Sequence, residues 1–328
     1  MKITPYGTRG SIATPSDSSQ STHCFGGNTT CCLVQAGGGI HIIDAGTGIR
    51  TLGIHLMRDY GFKDGGRANI YITHTHWDHI QGFPFFSPAY NPKNKITLYG
   101  EAQIEKVMPT VTGNGDNLKI RPDLEETVRR HPDKGTTVVM KVKGNGIKDV
   151  LMHQQDFRNF PVTLEALRAM DYVDFIPEKG PIVDTATLCV ETLRVPHPGG
   201  CIAYRFTEKV ADGYRRFVFC SDFEPEERHI GSLVRFWKDA DVVIADAQYE
   251  PPGTVNTPNP FMKGWGHSDY KTDIDIAAKA GVKRLFLTHH EPRMDDIYHA
   301  DLEKRAQEYA PPSLQVALAR EGTTLACD

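Results

Sequence analysis

The stretch Thr73–Gly82, T-H-T-H-W-D-H-I-Q-G, decides the reading of this chain. It follows Asn69–Thr73 (NIYIT), a β-branched and aromatic run that predicts a buried strand. Within six residues it offers His74, His76, Asp78 and His79. Four such side chains cannot all enter one small metal shell, but two can serve one ion and two another. Imidazole nitrogen and carboxylate oxygen suit zinc, and they also suit manganese and iron(II). The alternative, four polar residues on a solvated loop, fits poorly because complementary groups recur downstream.

Those complements also stand at the ends of strand-like runs. His197 follows Leu193-Arg194-Val195-Pro196, Asp222 follows Phe217–Ser221, and His289 follows Leu285-Phe286-Leu287-Thr288. Alone, each reads as structural. Together they supply what a two-ion site lacks, at strand ends that can converge on one edge of a sheet sandwich. His290 is a second imidazole beside His289. His289 directly follows Leu287-Thr288 and is the favoured ligand, which leaves His290 behind the ligands or against substrate. Upstream, Asp44 opens the turn Asp44-Ala45-Gly46-Thr47-Gly48. It suits an orienting role behind the histidine loop more than a ligand role.

The rest of the chain reads as strands mixed with helices in two halves. Thr30–Gln35 and Ile40–Ile43 flank Gly37-Gly38-Gly39 as a hairpin. A helix is expected over Ile49–Tyr60, and a short strand over Ile96–Tyr99. Later strands are expected at Arg216–Cys220, Val242–Ala245, Arg284–Thr288 and Gln315–Ala319, with helices over Asp269–Ala280 and Asp296–Tyr309. This alternation favours an α/β sandwich. Residues of about 101–190 differ in texture, with charged, weakly periodic stretches such as Asp123–Arg130. They are expected to be an inserted cap in one domain spanning 1–328, with a turn at Gly144-Asn145-Gly146.

Composition narrows the function. The 328 residues are 39% hydrophobic and 24% charged, enough to bury a core. Lys plus Arg is 37 against 41 Asp plus Glu, a formal charge of −4, which disfavours a protein that coats nucleic acid by charge. The seven cysteines are odd in number and contain no C-x-x-C pair. That disfavours both a zinc ribbon and a secreted disulfide scaffold, and predicts reduced, mostly buried thiols in a cytoplasmic protein. No run of eighteen apolar residues suggests a membrane span, and the start MKITPYGTRG lacks a secretory apolar run.

The H-x-H-x-D-H motif, Asp44 in its D-x-G-x-G turn, His197, Asp222 and His289 together resemble the metallo-β-lactamase superfamily. The resemblance covers roughly 1–100 and 190–328 and implies an αββα sandwich holding two divalent metal ions. It implies that His74, His76 and His197 hold one ion, that Asp78, His79 and His289 hold the other, and that Asp222 bridges them. Gly7–Ile12 (GTRGSI), Phe25–Cys31 (FGGNTTC) and Trp265-Gly266-His267-Ser268 resemble the branch of ribonuclease Z and the class III cyclic nucleotide phosphodiesterases. In ribonuclease Z a histidine of a short H-E-A-T-like motif assists proton transfer. His267 matches it, whereas Ser268-Asp269 departs from the pattern and leaves Asp269 in doubt as its carboxylate partner. His267 has the alternative of capping the next helix.

The chemistry expected is attack on a phosphodiester by a hydroxide bridging the metals, with Asp78 in the catalytic centre and His267 as proton donor. Zinc is the first expectation for the metal, with manganese or iron(II) open. Arg9, Asn28 and Arg205 are candidate substrate anchors. Arg205 could instead pair with a carboxylate, and Asn28 could serve a turn. Phe83, Phe85 and Phe86 either wall a pocket or pack in the core. The expected substrate is a small nucleotide, with 3′,5′-cyclic nucleotides as the leading candidates, rather than nucleic acid. Arg129, Arg130 and His131 lie beside Glu125 and Glu126, so the insertion holds no basic block. A ribonuclease Z-like endonuclease and a lactonase or thioesterase are the enzymatic alternatives, and a sensing scaffold that keeps the site for folding is the other. Relatives of this kind are commonly homodimers.

Overall fold

The computed structural model describes residues 1–102, 146–251 and 262–327, together with the backbone of four strands between 106 and 142. The first half lays down β1 (Lys2–Gly7), β2 (Cys31–Ala36), β3 (Gly39–Ile43), α1 (Gly48–Asp59), β4 (Arg67–Tyr71), the single turn α2 (Trp77–Ile80) and β5 (Lys95–Glu101). Next come β6 (Lys106–Val107), β7 (Val111–Thr112), β8 (Leu124–His131), β9 (Gly135–Val142), α3 (Ile147–Gln154) and β10 (Met170–Phe175). The second half holds β11 (Val183–Asp184), β12 (Leu188–Val195), β13 (Cys201–Val210), β14 (Gly213–Cys220), α4 (Glu227–Trp237) and β15 (Val242–Asp246). It ends with α5 (Tyr270–Ala280), β16 (Arg284–Thr288), α6 (Asp296–Tyr309), β17 (Gln315–Leu318) and β18 (Leu325–Ala326).

Two seven-stranded sheets form, in the orders β10-β5-β4-β3-β2-β1-β18 and β11-β12-β13-β14-β15-β16-β17. Side-chain alternation builds the layers. On β14 and β15, Phe217, Phe219, Val242 and Ile244 join Ile3, Val34, Ile43 and Tyr204 between the sheets. Their neighbours Val218, Cys220, Val243 and Ala245 face the other way, against Leu233 and Trp237 of α4, Ile274 and Ala277 of α5, and Leu302 of α6. On the first sheet's outer face, Ile49, Leu52 and Leu56 of α1 pack with Leu33, Ile70 and Leu98. The result is the expected αββα sandwich, and buried apolar surface on both faces of each sheet holds it together.

Helix ends follow local chemistry. Asp269 caps α5 by accepting from the Lys271 and Thr272 amides, and Gly281, at φ 70°, ends it. The cap is therefore Asp269 and not His267.

The expected insertion is narrower than 101–190. β10 runs parallel to β5 from Met170 opposite Ile96 to Phe175 opposite Glu101. Ile147 and Leu151 of α3 share the core of α1. Residues 146–190 thus belong to the sandwich. They read as foreign because β10 is an edge strand that shows Asp171 and Asp174 to water. The four-stranded sheet of β6, β7, β8 and β9 is separate from the two large sheets. The side chains of Glu125, Glu126, Arg129, Arg130 and His131, and the first two residues of the Gly144-Asn145-Gly146 turn, lie outside the described residues. All seven cysteines are free, and Cys31, Cys32, Cys201, Cys220 and Cys327 are buried. No helix among the described residues is long and apolar enough to cross a membrane.

Candidate metal centre

The centre forms where strand ends of the two sheets meet. The Asp44 turn and α2 are tied by backbone: the Ala45 amide donates to the His79 carbonyl (2.8 Å), and the Gly82 amide to the Ala45 carbonyl (2.9 Å). Only glycine fits at 46, because a Cβ there would lie 2.3 Å from the Asp78 carbonyl oxygen. Asp44, Asp222 and His289 all sit at positive φ (61°, 57° and 59°). Non-glycine residues in that region store strain, and such strain concentrates where a side chain must be aimed at a site.

Three groups of potential ligating atoms result: His74, His76 and His197; Asp78, His79, Asp222 and His289; and Asp246, His267 and His289, which shares His289 with the second. Asp222 spans the first two. Its Oδ2 lies 3.7 Å from His74 Nε2 and 3.9 Å from His197 Nε2. Its Oδ1 lies 3.2 Å from His79 Nε2 and 3.3 Å from His289 Nε2. Asp78 Oδ2 is 3.4 Å from His79 Nε2 and 3.2 Å from His289 Nε2. His76 Nδ1 stands 3.0 Å from His197 Nε2. Donors that share one ion at about 2.1 Å lie roughly 3–4 Å from one another, so these spacings fit a metal shell.

The imidazoles are oriented from behind. Asp44 Oδ2 takes His79 Nδ1 at 2.7 Å, Gln248 Oε1 takes His289 Nδ1 at 2.7 Å, and the Gly266 carbonyl takes His197 Nδ1 at 2.9 Å. Thr73 Oγ1 lies 3.1 Å from His74 Nδ1. Each arrangement directs Nε2 to the centre. Nε2 of His74 and of His79 are buried without a hydrogen-bond partner. A buried unpaired polar atom costs about 1–3 kcal/mol, a cost that a bound cation would relieve, and the residues present fit divalent ions.

The electrostatics agree. Burial works to raise Asp222, but His289, His79 and His74 hold its carboxyl far below the usual range. Burial likewise opposes ionisation of Asp78, yet His79 and His289 keep it low. Burial depresses His74 well below its ordinary value and lowers His197 to about 4, so both present free lone pairs. Burial lowers both His79 and His289, but Asp222 and Asp78 raise His79 well above its ordinary value and His289 to about 9.

His267 sits beside the first two groups. Its ring lies 4.7 Å from His289 and 5.5 Å from His197, and its Nδ1 is 2.7 Å from Asp246 Oδ2. Sequence reading missed Asp246. It ends the apolar run Val242–Ala245 as Asp222 follows Phe217–Ser221, the one signal that could have found it. Gln248 was missed too, and nothing in its spacing marks it.

The expected anchors are not at the centre. Arg9 is fully buried, and its guanidinium is spent on the carbonyls of Gly26 (2.7 and 3.2 Å), Glu291 (3.1 Å) and Met294 (3.1 Å). Asn28 holds a turn, donating to Glu321 at 2.9 Å and accepting from Thr47 at 3.1 Å. Arg205, on β13, pairs with Glu191 of β12 at 2.5 Å and covers the Phe236 ring. His290 donates Nε2–H to the Ala319 carbonyl at 2.8 Å and packs on Phe25 and His299, so His289 alone of the pair reaches the centre. Phe83 and Phe86 are core, while Phe85 is exposed against Phe160.

A family model described as the Beta-lactamase superfamily domain matches residues 42–290. The chain belongs to the metallo-β-lactamase superfamily of hydrolases, and within it to the side that resembles phosphodiesterases and ribonuclease Z. It is 26% identical over 240 residues to a ribonuclease Z of Thermoplasma volcanium, covering 70% of this chain and 71% of that one. It is 25% identical over 309 residues to a ribonuclease Z of Picrophilus torridus, covering 90% and 88%. Among solved structures, the metallo-beta-lactamase fold protein YhfI from Bacillus subtilis superposes with a TM-score of 0.61 at 18% identity, covering 99% of each chain. This last likeness shows the fold alone.

Proposed function

We propose that the protein is a metal-dependent phosphodiesterase that hydrolyses a small nucleotide phosphodiester, with 3′,5′-cyclic nucleotides as the first substrates to test. The observation that supports this most is Asp222, whose two oxygens face two different sets of imidazoles. His74, His76 and His197 would hold one divalent ion, Asp78, His79 and His289 the other, and Asp222 would contact both. Zinc, manganese or iron(II) all suit these donors. Bound there, two such ions acidify water towards neutral pH and neutralise charge building on phosphorus.

The chain's own part is orientation and proton transfer. Asp246 accepts Nδ1–H of His267, which leaves Nε2 as the nitrogen that would pass a proton to the departing oxygen. Trp77 and Trp265 support a nucleotide substrate. Both indoles are more than half exposed. One follows His76 and the other precedes Gly266, whose carbonyl holds His197. Exposed aromatic faces beside a phosphodiester centre suit base stacking.

A second reading, an endonuclease acting on RNA, is favoured by the relatives named ribonuclease Z. One panel separates the two: 3′,5′-cyclic AMP and GMP, 2′,3′-cyclic AMP, a cyclic dinucleotide, precursor tRNA and a lactone. It uses metal-reconstituted protein with D222A beside it. Cleavage of a cyclic mononucleotide, absent in D222A, is the expected result. Cleavage of tRNA alone, falling steeply with salt, would replace the small substrate with RNA. Cleavage of the lactone alone would overturn the phosphodiesterase reading.

A further inference from the structure

We infer that Glu224 is a positioning residue that locks the loop Gly264–His267 onto His197, so that proton donor and metal ligand are aligned as one unit. The inference rests on the proposed roles of His267 and His197. Three hydrogen bonds from two amides converge on this carboxylate: the Gly264 amide at 3.0 and 2.8 Å, and the Gly266 amide at 3.0 Å. The Glu224 amide donates to the carbonyl of Pro196 (2.8 Å), the residue before His197. Gly266 then closes the circuit, because its carbonyl takes His197 Nδ1. One residue thus holds both the backbone that carries His197 and the loop that orients it.

The geometry is specific to the site. Glu224 lies two residues past Asp222, and Phe223 between them is fully buried against Trp237, which anchors the segment. Gly264 and Gly266 both have positive φ (87° and 94°), and a Cβ on Gly266 would stand 2.1 Å from His197 Nδ1. A loop of this kind has little packing of its own to fix it. Charge-assisted bonds to a carboxylate, roughly twice as strong as neutral ones, replace that packing. Along with Pro196, His197, Pro198 and Gly266, Glu224 lines an open cleft at the edge of the centre, so the latch also shapes a wall that a substrate would meet.

The test has two readouts. In metal-free protein, hydrogen exchange of the peptide 262–268 should speed up in E224A. In E224Q the increase should be smaller, because an amide oxygen in the place of Oε2 accepts from both amides, though without the charge. In metal-loaded protein, E224A should slow diesters with an alkoxide leaving group by about 10–100-fold. Bis-p-nitrophenyl phosphate, whose leaving group needs no proton, should lose clearly less, because only the alignment of His197 bears on it, and E224Q should recover part of the loss. Unchanged exchange in E224A would overturn the latch. Equal loss on both substrate types in E224A, with H267A selective for the alkoxide, would reduce Glu224 to a structural role. If H267A itself shows no selectivity, the proton-donor reading fails instead, and the exchange result still decides whether Glu224 holds the loop.

Discussion

The His267 imidazole sits 2.7 Å, Nδ1 to Oδ2, from the fully buried carboxylate of Asp246. The pair joins two elements distant in sequence, the end of β15 and the loop before α5, and it sets which nitrogen of His267 faces the centre. D246N should therefore lower turnover of alkoxide-leaving diesters by on the order of 10²–10⁴-fold, as loss of an aligned acid does. H267A should do the same, and the double variant should be no worse than either alone. Additive losses in steady-state kinetics would show that the two residues do not act as a unit.

Asp222 faces both imidazole sets, so its loss should remove more than one contact. D222A is expected to bind one metal equivalent fewer by elemental analysis. Its turnover should drop by at least about 10²-fold, the scale for removing one preorganised electrostatic group. Full metal content with normal turnover would refute the bridging assignment.

Asp44 stands behind His79 and still matters. It accepts from the Thr73 amide, the Thr73 hydroxyl and His79. D44A should weaken metal binding by about 10–100-fold, the range for partners of metal-binding histidines. Chelator competition measures it, and an unchanged affinity would mean that the turn holds His79 by backbone alone.

The stability of the fold should fall in mild acid. Burial lowers both His41 and His299 to about 4, below the ordinary histidine value of 6.5. Between those values the unfolded chain binds more protons than the folded one, so stability rises with pH across that window and is lost as pH falls from about 6.5 towards 4. Each group adds a slope of at most about 1.4 kcal/mol per pH unit. In H41Q or H299Q, the difference in Tm between pH 7 and pH 5 should shrink. An unchanged difference would place the acid sensitivity elsewhere.

Much of this was legible in the chain. The motif at His74–His79 stood out because ligand chemistry needs particular residue types at particular spacings, and those are local. The strands Arg284–Thr288 and Val242–Ala245 and the helix Asp296–Tyr309 were readable because a layer buried on both faces demands continuous apolar runs, and a helix packed on a sheet demands its own period. The edge strand β10 was not, because an edge strand exposed to water keeps no such signal.

By itself, the sequence determined the layers and marked the complementary histidines and aspartates that the structure gathers at the strand ends. Only the tertiary structure decided which charged residues face the centre. Arg9, Asn28 and Arg205 carry the right chemistry for substrate, but their partners, the Glu291 and Met294 carbonyls, Glu321 and Glu191, turn them away from it. Asp246, Gln248 and Glu224 gained their roles from contacts across 21, 41 and 42 positions of chain. A polar side chain's role is set by what lies within about 3 Å of it, and for these residues that is chain far away in sequence.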